Sequence, residues 1–246
     1  MTPQAAPSPN FGPRRGGCFP DIVVIHHTAM ATAEAALLRL CDRTAEVSSH
    51  YLIAEDGRVW RLVDEAARAW HAGEGAWGAV RDVNSRSIGI ELANPGPLDG
   101  FPPFPEPQMA ALEALLDGVV ARWRIPPDRV IGHSDIAPGR KVDPGAKFDW
   151  RRLAQGGRAV WVAPDPVADI DRRSDRNADA DWRAFRDAAT RAGYVAPAGD
   201  WTEVLAASRL RFRPWALGPG LAPADISTIA ALAAAHPCVD AAPVRA

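Results

Sequence analysis

Residues 21–27 read DIVVIHH: four consecutive β-branched residues, Ile22 to Ile25, closed by two histidines. A run this apolar, with no polar residue alternating through it, is a buried strand rather than one lying at a solvated edge. A buried strand needs a sheet around it and helices to cover that sheet, and the flanking sequence supplies both. TAEAALLRLC (32–41) opens on a threonine cap and carries helical apolar spacing. HYLIAEDGRVWRLV (50–63) reads as two strands joined at the EDG turn. SIGIELAN (87–94) is another strand, stopped by Asn94-Pro95-Gly96, and after a proline-rich loop PQMAALEALLDGVVARW (107–123) gives a clear amphipathic helix. RVIGH (129–133) is the last short strand. The expected fold class is α/β (α+β): a mixed central β-sheet flanked by helices.

Beyond residue 160 the pattern changes. The stretch APDPVADIDRRSDRNADAD is charged and aperiodic, and three helical patterns follow it: DWRAFRDAATRAGY, WTEVLAASRLRF and PADISTIAALAAAH. The expected organisation is a mixed α/β domain over residues 1–156, a linker over 157–181 and a small three-helix module over 182–246.

Bulk properties exclude several classes of function. With 47% apolar and 24% charged residues the chain has material for an ordinary globular core. Its net charge of −2 leaves no basic surplus for a phosphate backbone, so nucleic acid is not an expected partner. Cys18, Cys41 and Cys238 are scattered and form no C-x-x-C pair, which argues against a disulfide framework. No apolar run reaches the length of a membrane span, and the amino-terminal segment has no signal-like apolar core. The expectation is a monomeric cytoplasmic protein, or a periplasmic one if a leader was removed.

The chemistry-bearing residues gather at strand ends, where ligands collect in open sheets. His26 and His133 both close predicted strands, and Asp143 follows in the loop GHSDIAPGRKVDPG. Side chains alternate across a strand, so His26 and His27 face opposite ways and only one of them can join such a cluster. Two imidazoles and a carboxylate form a three-ligand set for Zn2+, the number found in catalytic sites; hydrogen-bonded structural histidines are the alternative. Glu91 interrupts the apolar strand SIGIEL. It is either a solvated edge residue or a carboxylate whose pKa burial could raise into the range of a general base. The chain has only two lysines, Lys141 and Lys147, among 28 basic residues, which marks Lys141 inside the same loop.

Taken together, VVIHHTA, SSHYLIAEDGRVWRLV, RAWHAG, NSRSIGIELAN and GHSDIAPGRKVDPG resemble the type 2 family of zinc-dependent N-acetylmuramoyl-L-alanine amidases, over about residues 8–155 and in the family's order. The resemblance implies the sheet architecture shared with the peptidoglycan recognition proteins. It implies zinc ligation by His26, His133 and Asp143, an acid/base role for Glu91, and a cationic role for Lys141 beside the scissile carbonyl. It further implies that His27, His50, Trp70, His71 and Asn94 line the substrate cleft. Asp143 and Glu91 point to the AmpD and AmiD group. Phage-type relatives carry Cys at the place of Asp143 and Tyr at that of Ser49. The implied reaction is hydrolysis of the amide between the lactyl group of N-acetylmuramic acid, or its anhydro form, and L-alanine of the stem peptide, in peptidoglycan recycling. The partners are then muropeptides or peptidoglycan. A lytic enzyme acting on intact wall and a non-catalytic recognition protein are the alternatives. The C-terminal module resembles a three-helix peptidoglycan-binding domain, with an amphipathic bundle of other purpose as its alternative.

Overall fold

The computed structural model describes residues 2–165 and 178–240. Two short strands, Gln4–Ala5 (β1) and Phe11–Pro13 (β2), precede the DIVVIHH strand, Ile22–His27 (β3). They are followed by Tyr51–Ile53 (β4), Val59–Arg61 (β5), Ala67–Ala69 (β6), Ser87–Leu92 (β7) and Val130–Gly132 (β8). Six strands form one sheet in the order β1-β5-β4-β7-β3-β8, parallel at every pairing except β4 with β5. β2 and β6 make a separate antiparallel ribbon. The helices are Ala33–Cys41 (α1), Val83–Arg86 (α2), Glu106–Trp123 (α3), the single turn His133–Ile136 (α4), Trp150–Gln155 (α5), Ala178–Ala192 (α6), Trp201–Phe212 (α7) and Pro223–Ala235 (α8).

The central strands are as buried as their composition demands. Ile22, Val23, Val24 and Ile25 on β3 and Ile88, Ile90 and Leu92 on β7 are closed off from solvent. Each such side chain contributes about 1.5–3 kcal/mol relative to exposure. Thr32 caps α1 by accepting the N–H of Ala35 at 3.1 Å, and α1 buries Ala33, Ala36 and Leu40 in one cluster with Leu52, Trp60 and Leu62. On α3 the buried Met109, Leu112, Leu116 and Val119 fall at helical spacing, and Arg124 ends the helix in a left-handed conformation. Arg14 reaches into the interior, where its guanidinium donates to the carbonyls of Glu65, Ser85 and Ser87 and so ties the chain before β3 to the start of β7.

Contacts divide the chain into two compact units. One comprises Met1–Gly75, Asp82–His133 and Asp143–Val160; the other comprises Ala76–Arg81, Ser134–Val142 and Trp161–Ala246. The second unit therefore takes in two segments from within the range 1–156. Inside it Phe185, Tyr194 and Phe212 are fully buried. Asp135 accepts hydrogen bonds from the Tyr194 hydroxyl at 2.7 Å and from Arg211 Nη1 at 2.9 Å. Of the linker expected over 157–181, residues 166–177 lie outside the described residues, and α6 begins at Ala178 rather than at 182. The strands β1, β2 and β6 were not expected, since two or three residues carry no periodicity and are defined only by their partners.

Candidate metal centre

His26 is the fifth residue of β3, His133 is the residue immediately after β8, and Asp143 lies beyond the turn that follows. Since β3 and β8 are adjacent and parallel, their carboxyl ends bring the two histidines side by side. His26 Nδ1 stands 2.9 Å from His133 Nδ1 and 3.1 Å from Asp143 Oδ2, and His133 Nδ1 stands 3.0 Å from the same oxygen. The three residues are 1%, 3% and 7% exposed. Among the described residues they are the group able to hold a metal ion.

The donor chemistry fits such an ion. His133 Nε2 lies 2.9 Å from the carbonyl oxygen of Ala72. A carbonyl can only accept, so Nε2 carries a proton and Nδ1 can present a lone pair inward. His26 Nε2 lies 2.9 Å from His71 Nδ1. Outer nitrogens held in this way are the usual accompaniment of metal-ligating imidazoles. Burial alone would raise the Asp143 carboxyl; positive charge or donated protons from His133 and His26 would outweigh it and hold the group well below the usual carboxylate range, a part that a cation takes over once both rings turn lone pairs inward. Two nitrogen lone pairs and a carboxylate oxygen this close repel one another unless positive charge lies among them. Donors around a tetrahedral zinc at about 2.0–2.1 Å are separated by a little over 3 Å. Three protein donors, rather than four, characterise catalytic sites.

Glu91 joins this face of the sheet. It is the in-register neighbour of His26 across β3 and β7, and side chains in register project to the same side. Its side chain is part-buried.

The other expected residues are distributed differently. His27 faces away from His26, as alternation requires. Its Nδ1 donates to the Pro144 carbonyl at 3.2 Å, and its ring fills the space against Gly96, where a Cβ would come within 2.6 Å of Nε2. His50 lies deeper in the interior. It is fully buried, its Nδ1 accepts the Gly89 N–H at 2.9 Å and its Nε2 faces the Ala67 carbonyl at 3.2 Å. Burial, then the nearby Arg14, pushes its ring down to about 3, so it stays neutral. Asn94 uses its side chain on the proline-rich loop, accepting from Gly96 N–H and donating to the Pro102 carbonyl. His71 is buried against the His26 ring, and burial followed by its imidazole neighbours pushes it well below the usual histidine value. Trp70 is half-buried, with its backbone paired to Ser48. Lys141 belongs to the Ser134–Val142 segment, where its N–H closes a turn on the Ala137 carbonyl.

Sequence reasoning missed the groups behind the two clustered histidines. The Ala72 carbonyl carries no side-chain signal at all. Ser87 and Asn84 lie in the NSRSIGIELAN block, but neither has a chemical pattern that marks it as a support.

Residues 16–146 match the family described as N-acetylmuramoyl-L-alanine amidase, which is more than half of the chain, and the chain belongs to that family. The N-acetylmuramoyl-L-alanine amidase AmiD of Escherichia coli (strain K12) is 42% identical over 152 residues, covering 57% of this chain and 54% of the relative. The 1,6-anhydro-N-acetylmuramyl-L-alanine amidase AmpD of Haemophilus influenzae is 39% identical over 107 residues, covering 43% of this chain and 56% of the relative. The aligned stretch thus spans about half the length of these curated relatives. Likeness of structure extends further. The AmiD amidase from E. coli, solved with the substrate anhydro-N-acetylmuramic acid-L-Ala-D-gamma-Glu-L-Lys, superposes with a TM-score of 0.76 at 31% identity over 92% of this chain and 98% of that one. AmpDH3 from Pseudomonas aeruginosa, solved with an anhydromuramic pentapeptide, superposes with a TM-score of 0.77 at 30% identity over 94% and 96%. No helix among the described residues is long and apolar enough to cross a membrane.

Proposed function

We propose that the chain is a zinc amidase that cleaves the amide between the lactyl group of N-acetylmuramic acid, in its anhydro form, and L-alanine of the stem peptide, in peptidoglycan recycling. The observation that carries this reading is the pairing of a buried His-His-Asp donor set with a glutamate in register beside it. Imidazole and carboxylate donors in threes suit zinc. The substrate class rests on the two similar structures, which were solved with anhydro-muramyl peptides.

His26, His133 and Asp143 would hold the zinc ion, which would supply a Lewis acid for the lactyl carbonyl and a lowered pKa, toward about 7, for water. Glu91 takes the proton from the attacking water and delivers one to the alanine nitrogen as the C–N bond breaks, leaving a lactyl carboxylate and a free amine. Lys141 offers an ammonium to the carbonyl oxygen as negative charge develops on it, the stage at which preorganised charge counts most. His27 and Asn94, turned to the loops, stiffen the ground on which these groups stand.

Purified protein assayed side by side on a soluble anhydro-muramyl peptide and on intact sacculi tests the reading. Release of peptide with a free L-alanine amino terminus, faster from the soluble fragment, is expected. Faster turnover of sacculi would move the function to wall lysis, and release from neither would contradict amidase activity.

A further inference from the structure

We propose that His71 and Ser87 are positioning residues that determine which nitrogen His26 offers the metal. The inference deepens the metal-site reading above and rests on it. Its basis is a chain of hydrogen bonds whose direction is fixed from one end. The Val83 carbonyl oxygen, which can only accept, lies 2.7 Å from Ser87 Oγ, so the serine proton points there. Ser87 Oγ must then act as acceptor toward His71 Nε2, 3.1 Å away. A neutral ring with its proton on Nε2 has a lone pair on Nδ1, and that atom is 2.9 Å from His26 Nε2. His26 Nε2 therefore donates, and His26 Nδ1 is left with its lone pair facing His133 Nδ1 and Asp143 Oδ2. A backbone carbonyl on α2 thus fixes the tautomer of a ligand three hydrogen bonds away.

Two further features tie this chain to the other histidine. Asn84 Oδ1, also on α2, accepts the N–H groups of both His71 and Ala72, at 3.1 and 2.9 Å. One amide oxygen therefore clamps the dipeptide that supplies the outer partner of each ligand: the His71 ring for His26, and the Ala72 carbonyl for His133. β7 makes room for the arrangement at Gly89, where a Cβ would lie 2.5 Å from His71 Cγ. A ring merely filling space would need neither the clamp nor the directed serine.

The test compares zinc affinity of the full-length chain and its variants, by competition with a chromophoric chelator, with thermal unfolding followed in parallel. Asn and Leu share a branched skeleton, but only Asn carries an acceptor where His71 has Nδ1. His71→Leu is expected to weaken zinc binding about 10–100-fold, the usual cost of losing the partner behind a metal ligand, and His71→Asn to recover most of it. Ser87→Ala is expected to fall between His71→Leu and wild type, because the ring remains but its direction is no longer imposed. Wild-type zinc affinity in His71→Leu, or equal loss in the Leu and Asn variants, would overturn the proposal while leaving the metal site standing. A wild-type chain that binds no zinc would overturn both.

Discussion

Glu91→Gln is expected to keep one metal per chain and to lose about 10²–10⁴-fold in kcat, the usual contribution of a positioned general acid–base. The substitution preserves the shape of the side chain and its place on β7, opposite His26. It removes only the ability to take a proton from water and return it to the leaving nitrogen. Glu91 is not one of the three clustered donors, so metal content and turnover should separate cleanly. Elemental analysis and steady-state kinetics on the same preparation check this, and near-normal kcat would take Glu91 out of the mechanism.

Lys141→Ala is expected to lower kcat about 10²–10³-fold with zinc affinity almost unchanged, the typical cost of losing one donor to a developing oxyanion. Lys141→Arg should recover only part of that loss, since a planar fork on a stiffer head does not reach as a compact ammonium does. The contrast matters in a chain that has lysine at only two positions, Lys141 and Lys147, among 28 basic residues. If both variants turn over like wild type, Lys141 is a solvated surface charge. If Lys141→Arg alone is fully active, charge suffices and the choice of lysine needs another reason.

Much of the fold was legible because its signals are local. The β-branched run of β3, the Thr32 cap and the apolar spacing of α3 each declare themselves within a few residues, and each forms as expected. That His26 and His133 meet was legible for a related reason, since both close strands and adjacent parallel strands carry such ends to one place; the full set with Asp143 came from the family resemblance. What could not be read was pairing and direction. β1, β2 and β6 exist through register with distant partners. His27 and His50 carry the same residue type as His26, yet one bonds the Pro144 carbonyl and the other the Gly89 N–H, both contacts set by folding. The inclusion of residues 76–81 and 134–142 in the second unit is likewise a matter of contact and not of composition. Asp135, two residues beyond His133 in the same motif, answers to Tyr194 and Arg211 instead.

The claim on which the rest depends is that His26, His133 and Asp143 hold a working metal. Metal content measured on purified, active protein tests it most directly. One zinc per chain is expected, with loss of turnover on chelation, the fold retained by its own apolar core, and recovery when zinc is restored. Full turnover by protein that contains no metal would contradict it.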